Sequence, residues 1–165
     1  MDKQEPRPSG YAASDLTQSD LKAFATYDPE TGAFTRNRDG KVLGTKETNG
    51  RIKIYVHGFL YLAHRLAWLY VCGKWPSGTI DHKNRDAGDN RFHNLRIATK
   101  SQNMANSEVT WGTSGHRGVY RQKNTKLWRA RIGGVSLGYF DTKEAASAAY
   151  DAKAIELYGE FARAA

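Results

Sequence analysis

A segment rich in Gly, Ser and Thr, residues 107–115, divides this sequence into two parts, and neither is long enough to bury more than a small core. In the first part, turn signals such as Asn49-Gly50 and His57-Gly58 separate short runs of alternating apolar and polar residues, which predict antiparallel strands. We therefore predict an α+β fold with domains at residues 15–106 and 116–165, joined by a linker at 107–115. Residues 1–14 are polar and predict a disordered tail.

The first part begins with a predicted helix and ends with a strand–loop–strand–helix pattern. Thr17 and Asp20 have the spacing of a capping box and predict a helix from Gln18 to about Ala25. A small antiparallel sheet follows, and the apolar spacing after it predicts a helix from Ala63 that stops at Gly73. Beyond that helix we expect short strands at residues 79–82 and 95–97, separated by a polar loop, and a helix through about Asn106.

The second part predicts a three-stranded antiparallel sheet packed on one helix. The strands are expected near residues 117–121, 127–132 and 136–140, and the helix between Thr142 and Gly159. Residues 117–131 carry six basic residues and no acidic one. If Trp128, Ala130 and Ile132 face the helix, strand alternation turns Arg129 and Arg131 outward, so the sheet would present a basic face.

Charge and cysteine content narrow the function classes. The net charge of +8 favours a polyanionic partner such as nucleic acid, with a merely basic soluble protein as the alternative. The single cysteine, Cys72, excludes an intramolecular disulfide and a cysteine-based zinc site, and its apolar neighbours predict that it is buried. No apolar run approaches the length of about 20 residues that spans a membrane, so we expect no membrane association.

The pair Asp81-His82 could carry phosphodiester chemistry. Hydrolysis needs a base for water and a cation for the developing charge, and adjacent strand positions would direct the two side chains to opposite faces. Asn103 lies on the following helix, which we expect to fold back over the strands and bury Met104, bringing the Asn103 amide toward Asp81. Such oxygen ligands suit Mg²⁺. A turn or a hydrogen-bonded surface pair is the alternative interpretation of Asp81 and His82.

The first part resembles the phage HNH homing endonucleases, whose active site is a ββα-metal finger. The resemblance rests on His64-Arg65-Leu66-Ala67-Trp68, Ile80-Asp81-His82-Lys83-Asn84, Asp89-Asn90-Arg91, Asn94-Leu95-Arg96 and Ala98-Thr99-Lys100-Ser101-Gln102-Asn103. It implies that His82 is the general base, that Asn94 orients its imidazole, and that Asp81 and Asn103 bind Mg²⁺ or Mn²⁺. For His64, a structural or phosphate contact at the start of its helix stands at least equal to a catalytic role, and we include it among the candidate DNA contacts.

The second part is similar to the DNA-binding domain of plant ethylene-response factors. The shared residues are Arg117-Gly118-Val119-Tyr120, Trp128-Arg129-Ala130-Arg131-Ile132, Leu137-Gly138-Tyr139-Phe140-Asp141-Thr142 and Glu144-Ala145-Ala146. The resemblance implies a sheet that enters the major groove of double-stranded DNA. The candidate DNA contacts are Arg117, Tyr120, Arg121, Lys123, Arg129 and Arg131. Arg51 and Lys53 in the first part could extend this surface, with plain solvated surface as their alternative.

Together these features predict a metal-dependent endonuclease that nicks double-stranded DNA and carries a C-terminal recognition domain. The alternative is a DNA-binding transcriptional regulator with a vestigial nuclease centre. One predicted active site per chain favours a nick in one strand. We expect a monomer with no small-molecule ligand. From the family resemblance alone, we expect a phage or prophage protein that acts in the cytoplasm of a bacterial host cell.

Overall fold

The computed structural model describes residues 15–107 and 114–162. The predicted N-terminal tail and most of the predicted linker lie outside these residues. The chain divides into two compact units, Met1–Thr99 and Lys100–Ala165, and helices occur together with small antiparallel sheets. The predicted α+β class is confirmed. Within the described residues, none of the helices combines the length and apolar character that crossing a membrane requires.

The first unit contains three small antiparallel sheets, with strand orders β1-β2-β3, β4-β5-β6 and β7-β8. In chain order its elements are α1 (Gln18–Phe24), β1 (Ala25–Tyr27), β2 (Phe34–Arg36), β3 (Val42–Leu43), β4 (Thr45–Lys46), β5 (Ile52–Val56), β6 (Phe59–Leu62), α2 (Ala63–Cys72), β7 (Thr79–His82) and β8 (Leu95–Ala98). A short 3₁₀ turn, Phe92–Asn94, leads directly into β8.

The helix boundaries in this unit follow local capping chemistry. The predicted capping box at α1 is present: the Asp20 N–H donates to Thr17 Oγ1 at 3.2 Å, and the Thr17 N–H donates to Asp20 Oδ2 at 3.0 Å. Helix α2 ends where Gly73 adopts a left-handed conformation with φ 73°. Both ends satisfy backbone groups that a helix leaves without intrahelical partners.

A single apolar core holds the first unit together. Its most deeply buried side chains include Leu21, Phe34, Val56, Leu66 and Leu69. The prediction that Cys72 is buried is wrong, since this residue is exposed. The buried residues of α2 end at Leu69, so the last turn of the helix runs beyond the core.

The second unit places one sheet, ordered β11-β10-β9, against a long helix. Its elements are α3 (Lys100–Asn106), β9 (Val119–Arg121), β10 (Trp128–Ile132), β11 (Val135–Phe140) and α4 (Lys143–Tyr158). The sequence prediction assigned α3 to the first domain, whereas the compact units divide just before this helix. The domain bounds of 15–106 and 116–165 stay predictions.

The core of the second unit is small because the sheet and α4 approach each other closely. Val119, Ala130 and Ala146 form its centre, with Trp128 and others partly buried around them. As predicted, α4 begins after Thr142, whose Oγ1 accepts a hydrogen bond from the N–H of Ala145 at 3.1 Å, and ends at Gly159. Small alanine side chains on the inner face of α4 permit this close packing.

Candidate active site and basic sheet

Asp81 and His82 lie at the end of β7, which pairs antiparallel with β8. In this register Asp81 stands opposite Arg96 and His82 stands opposite Leu95. Both polar side chains are buried, with 4% of Asp81 and 8% of His82 exposed. Polar groups at this depth require partners, because an unpaired buried polar group costs free energy.

The partner of the Asp81 carboxylate is Arg96, directly across the hairpin. Arg96 Nε donates to Asp81 Oδ2 at 2.8 Å, and the two side chains are 11% and 4% exposed. This is a buried ion pair between facing strand residues, which lie on the same side of a sheet. Sequence reasoning did not identify Arg96 as a site residue; the pairing could have been found once the β7–β8 register was known.

The imidazole of His82 is paired with Asn90, which lies in the loop between the two strands. His82 Nε2 lies 3.3 Å from Asn90 Oδ1, and both residues are buried. Burial lowers the pKa of His82 below its ordinary value, although the hydrogen bond with Asn90 and the Asp81 charge act in the opposite direction. A neutral imidazole at neutral pH is able to accept a proton.

His64, the second residue of α2, packs against the ring of His82. The two ring centroids are 5.1 Å apart with an edge-to-face angle of 87°. Within the described residues, Nδ1 of His64 is buried and has no hydrogen-bond partner. Burial lowers the pKa of His64 to about 3, with smaller contributions from coulombic interactions with His82, Arg51 and Arg65. The His64 imidazole is therefore uncharged near pH 7 and packs against one side of His82.

Asn94 holds the loop between β7 and β8 together. Its Oδ1 accepts the backbone N–H of Asn84 at 3.0 Å, and its Nδ2 donates to Asn84 Oδ1 at 3.0 Å and to the carbonyl of Asp89 at 2.9 Å. Asp89 in turn accepts two hydrogen bonds from Arg91, which lower the pKa of its carboxyl group. The role of Asn94 in orienting His82 stays a prediction.

Asn103 lies on α3, within the second compact unit. The pairing of Asn103 with Asp81 as metal ligands therefore stays a prediction. The expectation that Met104 on the same helix is buried is wrong, because 63% of this side chain is exposed.

The donor chemistry of the site fits a hard divalent cation held by few protein ligands. Among residues 15–107 and 114–162, no cluster of three or more His, Cys, Asp or Glu side chains could hold a metal ion. Mg²⁺ commonly binds through one or two carboxylates, with water and substrate phosphate completing its coordination. The Asp81 carboxylate, fixed by Arg96 at the strand end, fits that mode.

The outer face of the second unit's sheet is built around Arg129. Arg129 stands opposite Tyr120 on one side and Tyr139 on the other, and its guanidinium lies 5.7 Å from the Tyr139 ring centroid. Arg131 is exposed while its neighbours Ala130 and Ile132 are buried, which confirms the predicted alternation. The face thus carries two arginines beside exposed aromatic rings.

Two of the other predicted DNA contacts lie away from that face. Arg121 stands opposite Trp128, and its guanidinium lies 5.1 Å from the Trp128 ring centroid, on the side of the sheet that carries the core. Lys123 is exposed in the turn before β10, next to Asn124 with its positive φ of 60°. Their contacts with DNA stay predictions.

Arg117 caps the end of α3 within the second unit. Its Nη1 donates to the carbonyls of Met104 at 2.7 Å and Ala105 at 2.8 Å, and its Nη2 donates to the carbonyl of Ser107 at 2.7 Å. A cation at a helix C-terminus also interacts favourably with the helix dipole. Arg117 therefore has a structural role, since its guanidinium binds the carbonyl groups at the C-terminal end of α3.

The two basic residues predicted on the first unit differ in their environment. Arg51 is exposed just before β5, whereas Lys53 is half-buried and forms an ion pair with Glu47. The exposed Arg51 side chain is accessible to a phosphate group. Lys53 would have to break its ion pair with Glu47 before it could bind one. Their DNA contacts remain predictions.

One protein-family model matches the segment that contains the β7–β8 hairpin. The family model described as HNH endonuclease matches residues 61–105. An uncharacterized HNH endonuclease of Acanthamoeba polyphaga mimivirus is 32% identical over 112 residues, which cover 67% of this chain and 56% of that protein. An ethylene-responsive transcription factor of Arabidopsis thaliana is 33% identical over 96 residues, covering 52% of this chain and 22% of that protein.

The chain thus spans little more than half of the viral relative and under a quarter of the plant relative. Among solved structures, the HNH homing endonuclease I-HmuI, described in terms of DNA binding and cleavage, is similar with a TM-score of 0.42 and 25% identity. That match covers 52% of this chain and 54% of that chain. At this score the likeness does not establish a shared fold.

Proposed function

We propose that the chain is a DNA endonuclease whose catalytic centre is the β7–β8 hairpin, since residues 61–105 match the family model described as HNH endonuclease. The observation that carries this proposal is the burial of Asp81 and His82 side by side, each with its own polar partner. A surface pair of the same residues would be exposed and exchange its partners with water. The arrangement instead holds a carboxylate and an imidazole in fixed positions.

His82 is the general base of this proposal. Its burial keeps the imidazole neutral near pH 7, so that it takes a proton from a water molecule that attacks the phosphodiester. His64 packs against the ring edge-to-face and limits its rotation. A base held in one orientation has less freedom to lose when the transition state forms.

Asp81 would hold a divalent cation, Mg²⁺ or Mn²⁺, and Asn103 stays the predicted second ligand. When bound, such an ion stabilises negative charge on the phosphate and on the leaving oxygen. Arg96 shares the Asp81 carboxylate and keeps it in place at the strand end. The resemblance to HNH homing endonucleases supports this pair of ligands.

The second unit supplies recognition of double-stranded DNA. Its outer face, with exposed Tyr120, Arg131 and Tyr139 around the half-buried Arg129, combines positive charge with aromatic surface. The sequence similarity to a plant ethylene-responsive transcription factor supports an ethylene-response-type domain here. One predicted centre per chain favours a nick in one strand, made by a monomer.

Nicking of supercoiled plasmid DNA tests this proposal. We expect conversion to open circles only with added Mg²⁺ or Mn²⁺, abolished by EDTA, and lowered by about 10²- to 10⁴-fold in His82→Ala. His93→Ala is the matched control, since His93 is exposed in the same unit and should leave the rate unchanged. Because a single plasmid need not contain the target sequence, the assay also uses a pool of plasmids with random inserts.

Two results would contradict the proposal. Equal cleavage by His82→Ala and the native protein would remove His82 from the mechanism. Tight DNA binding with no cleavage of any plasmid in the pool would favour a DNA-binding transcriptional regulator with a vestigial nuclease centre.

A further inference from the structure

Asn90 lies where it can control the chemistry of His82. It is almost fully buried, with 2% exposed, and its Oδ1 lies 3.3 Å from His82 Nε2. We propose that Asn90 is a positioning residue that fixes the His82 imidazole in its Nε2–H form and so makes Nδ1 the nitrogen that accepts the proton. This inference rests on the proposed function for the role of His82, but its structural part does not.

The orientation of the Asn90 amide is set by a second contact. Its Nδ2 donates to the carbonyl of Gly88 at 3.2 Å. A carbonyl oxygen only accepts hydrogen bonds, so turning the amide around would place two oxygens against each other. The Gly88 carbonyl therefore keeps Oδ1 directed at the imidazole of His82.

This orientation determines where the imidazole proton lies. Oδ1 of an amide has no hydrogen to donate, so a hydrogen bond between it and His82 Nε2 requires the proton on Nε2. In a neutral imidazole the lone pair then lies on Nδ1. Losing this bond would remove its constraint on the imidazole proton and leave a buried amide oxygen without that donor.

The backbone of Asn90 is fixed by residues from the turn between β1 and β2. The Tyr27 hydroxyl donates to the Asn90 carbonyl at 2.7 Å. Gly32, with φ +75°, packs so closely that a Cβ there would lie 2.5 Å from the Asn90 carbonyl carbon. The N–H of Phe92 also donates to the carbonyl of Pro29 at 2.9 Å. These contacts restrict the backbone around Asn90, so that its side chain is held in place although it belongs to a loop.

Asn90 and Asn94 thus perform different tasks in the same loop. The amide of Asn94 bonds within the loop, to Asn84 and to the Asp89 carbonyl. The amide of Asn90 reaches out of the loop to the imidazole. We assign the orientation of His82 to Asn90, and the shape of the loop to Asn94.

The test is the protonation pattern of His82, read from long-range proton–nitrogen NMR spectra of the full chain labelled with nitrogen-15 in histidine. At about pH 8, well above the ordinary histidine pKa of about 6.5, we expect the His82 signals to show the Nε2–H form. The signals are assigned by their absence in His82→Ala. Finding the Nδ1–H form in the native protein would overturn the proposal, with no variant needed.

Variants extend the test to the reaction. Asn90→Leu keeps the volume but removes the acceptor, and should give a mixture of the two forms and lower kcat by about 10²-fold with KM for DNA unchanged. Asn90→Asp keeps the acceptor and should retain the Nε2–H form. Tyr27→Phe, which deletes only the hydroxyl, should move the spectrum in the same direction as Asn90→Leu by less. Asn49→Ala, at an exposed turn, is the control.

The two proposals fail in different ways. If the native protein shows the Nε2–H form but does not cleave DNA, the proposed function fails and the role of Asn90 in fixing the imidazole stands. If the native protein cleaves DNA and Asn90→Leu leaves the spectrum and kcat unchanged, the role of Asn90 fails. If Asn90→Leu does not fold, the native spectrum and Tyr27→Phe decide.

Discussion

The β7–β8 hairpin of the first unit and the sheet of the second unit differ in how far their polar side chains are buried. In the hairpin, Asp81 and His82 are buried, and each has a partner within the same unit. On the sheet, Arg131, Tyr120 and Tyr139 are exposed, and Arg131 donates a hydrogen bond to the carbonyl of Gly134 in the adjacent turn. A group that moves protons gains from fixed geometry, whereas a group that meets phosphates must be reachable. Substitutions in the two regions should therefore change different measured quantities.

The largest difference should come from His82→Ala. We expect kcat for nicking to fall by about 10²- to 10⁴-fold because the proposed general base is lost, while the Kd for the same DNA stays unchanged. Single-turnover nicking and fluorescence anisotropy in Ca²⁺ buffer measure the two quantities. A parallel loss of affinity would show that the hairpin also contributes to DNA binding. The assignment of catalysis to the hairpin and of binding to the sheet would then be wrong.

Arg96→Met should reduce stability more than any substitution on the sheet. It leaves Asp81 as a buried carboxylate without its cation, and we expect the free energy of unfolding to fall by about 3 kcal/mol. Urea denaturation followed by circular dichroism measures this change. The double variant Asp81→Asn, Arg96→Met should recover part of the loss, because it leaves no isolated charge. Equal losses in the single and double variants would contradict the ion-pair explanation.

His64 should make the stability of the first unit depend on pH. Burial lowers its pKa to about 3, so the folded chain does not bind the proton that the unfolded chain binds below about pH 6.5. The stabilisation is complete above that pH and decreases as the pH falls toward 3, by about 3 kcal/mol between pH 7 and pH 4. His64→Leu should show a smaller decrease in urea denaturation at these two pH values, whereas exposed His93→Leu should behave like the native chain.

The smallest effects should come from single arginines on the sheet. We expect Arg129→Ala and Arg131→Ala each to weaken DNA binding by about tenfold and to reduce the salt slope by about one, with kcat at saturating DNA unchanged. Lys153→Ala is a suitable control, because Lys153 lies on α4 and pairs with Glu156 at 2.6 Å. An equal loss in the control would mean that overall charge, rather than this face, binds DNA.

Local patterns in the sequence predicted the elements well where the determinants are close in the chain. The capping box of α1, the glycine end of α2 and the Thr142 cap of α4 all depend on residues within a few positions. Strand alternation likewise predicted the outward direction of Arg131. The burial of Cys72 and Met104 was predicted wrongly, because it depends on where each helix leaves the core rather than on the apolar character of the residues.

The candidate site was predictable in its chemistry but not in its contacts. Asp81 and His82 stand next to each other in the sequence, so a motif identifies them. Arg96 becomes a partner only through the strand register, which sets it opposite Asp81. The hydrogen bond from Tyr27 to Asn90 joins residues 63 positions apart, and no local pattern indicates such a contact.

The turn between β1 and β2 has a consequence for protein engineering. Residues 61–105 are the segment that the family model matches, and they include Asp81, His82 and Asn90. The hydroxyl and the glycine that immobilise Asn90, at Tyr27 and Gly32, belong to a part of the chain that precedes the segment. A transplant of residues 61–105 into another scaffold would carry Asp81, His82 and Asn90 without the contacts from Tyr27 and Gly32 that hold Asn90 in place. The smallest segment that could be transferred with these contacts intact therefore has to include β1, since Tyr27 is its last residue.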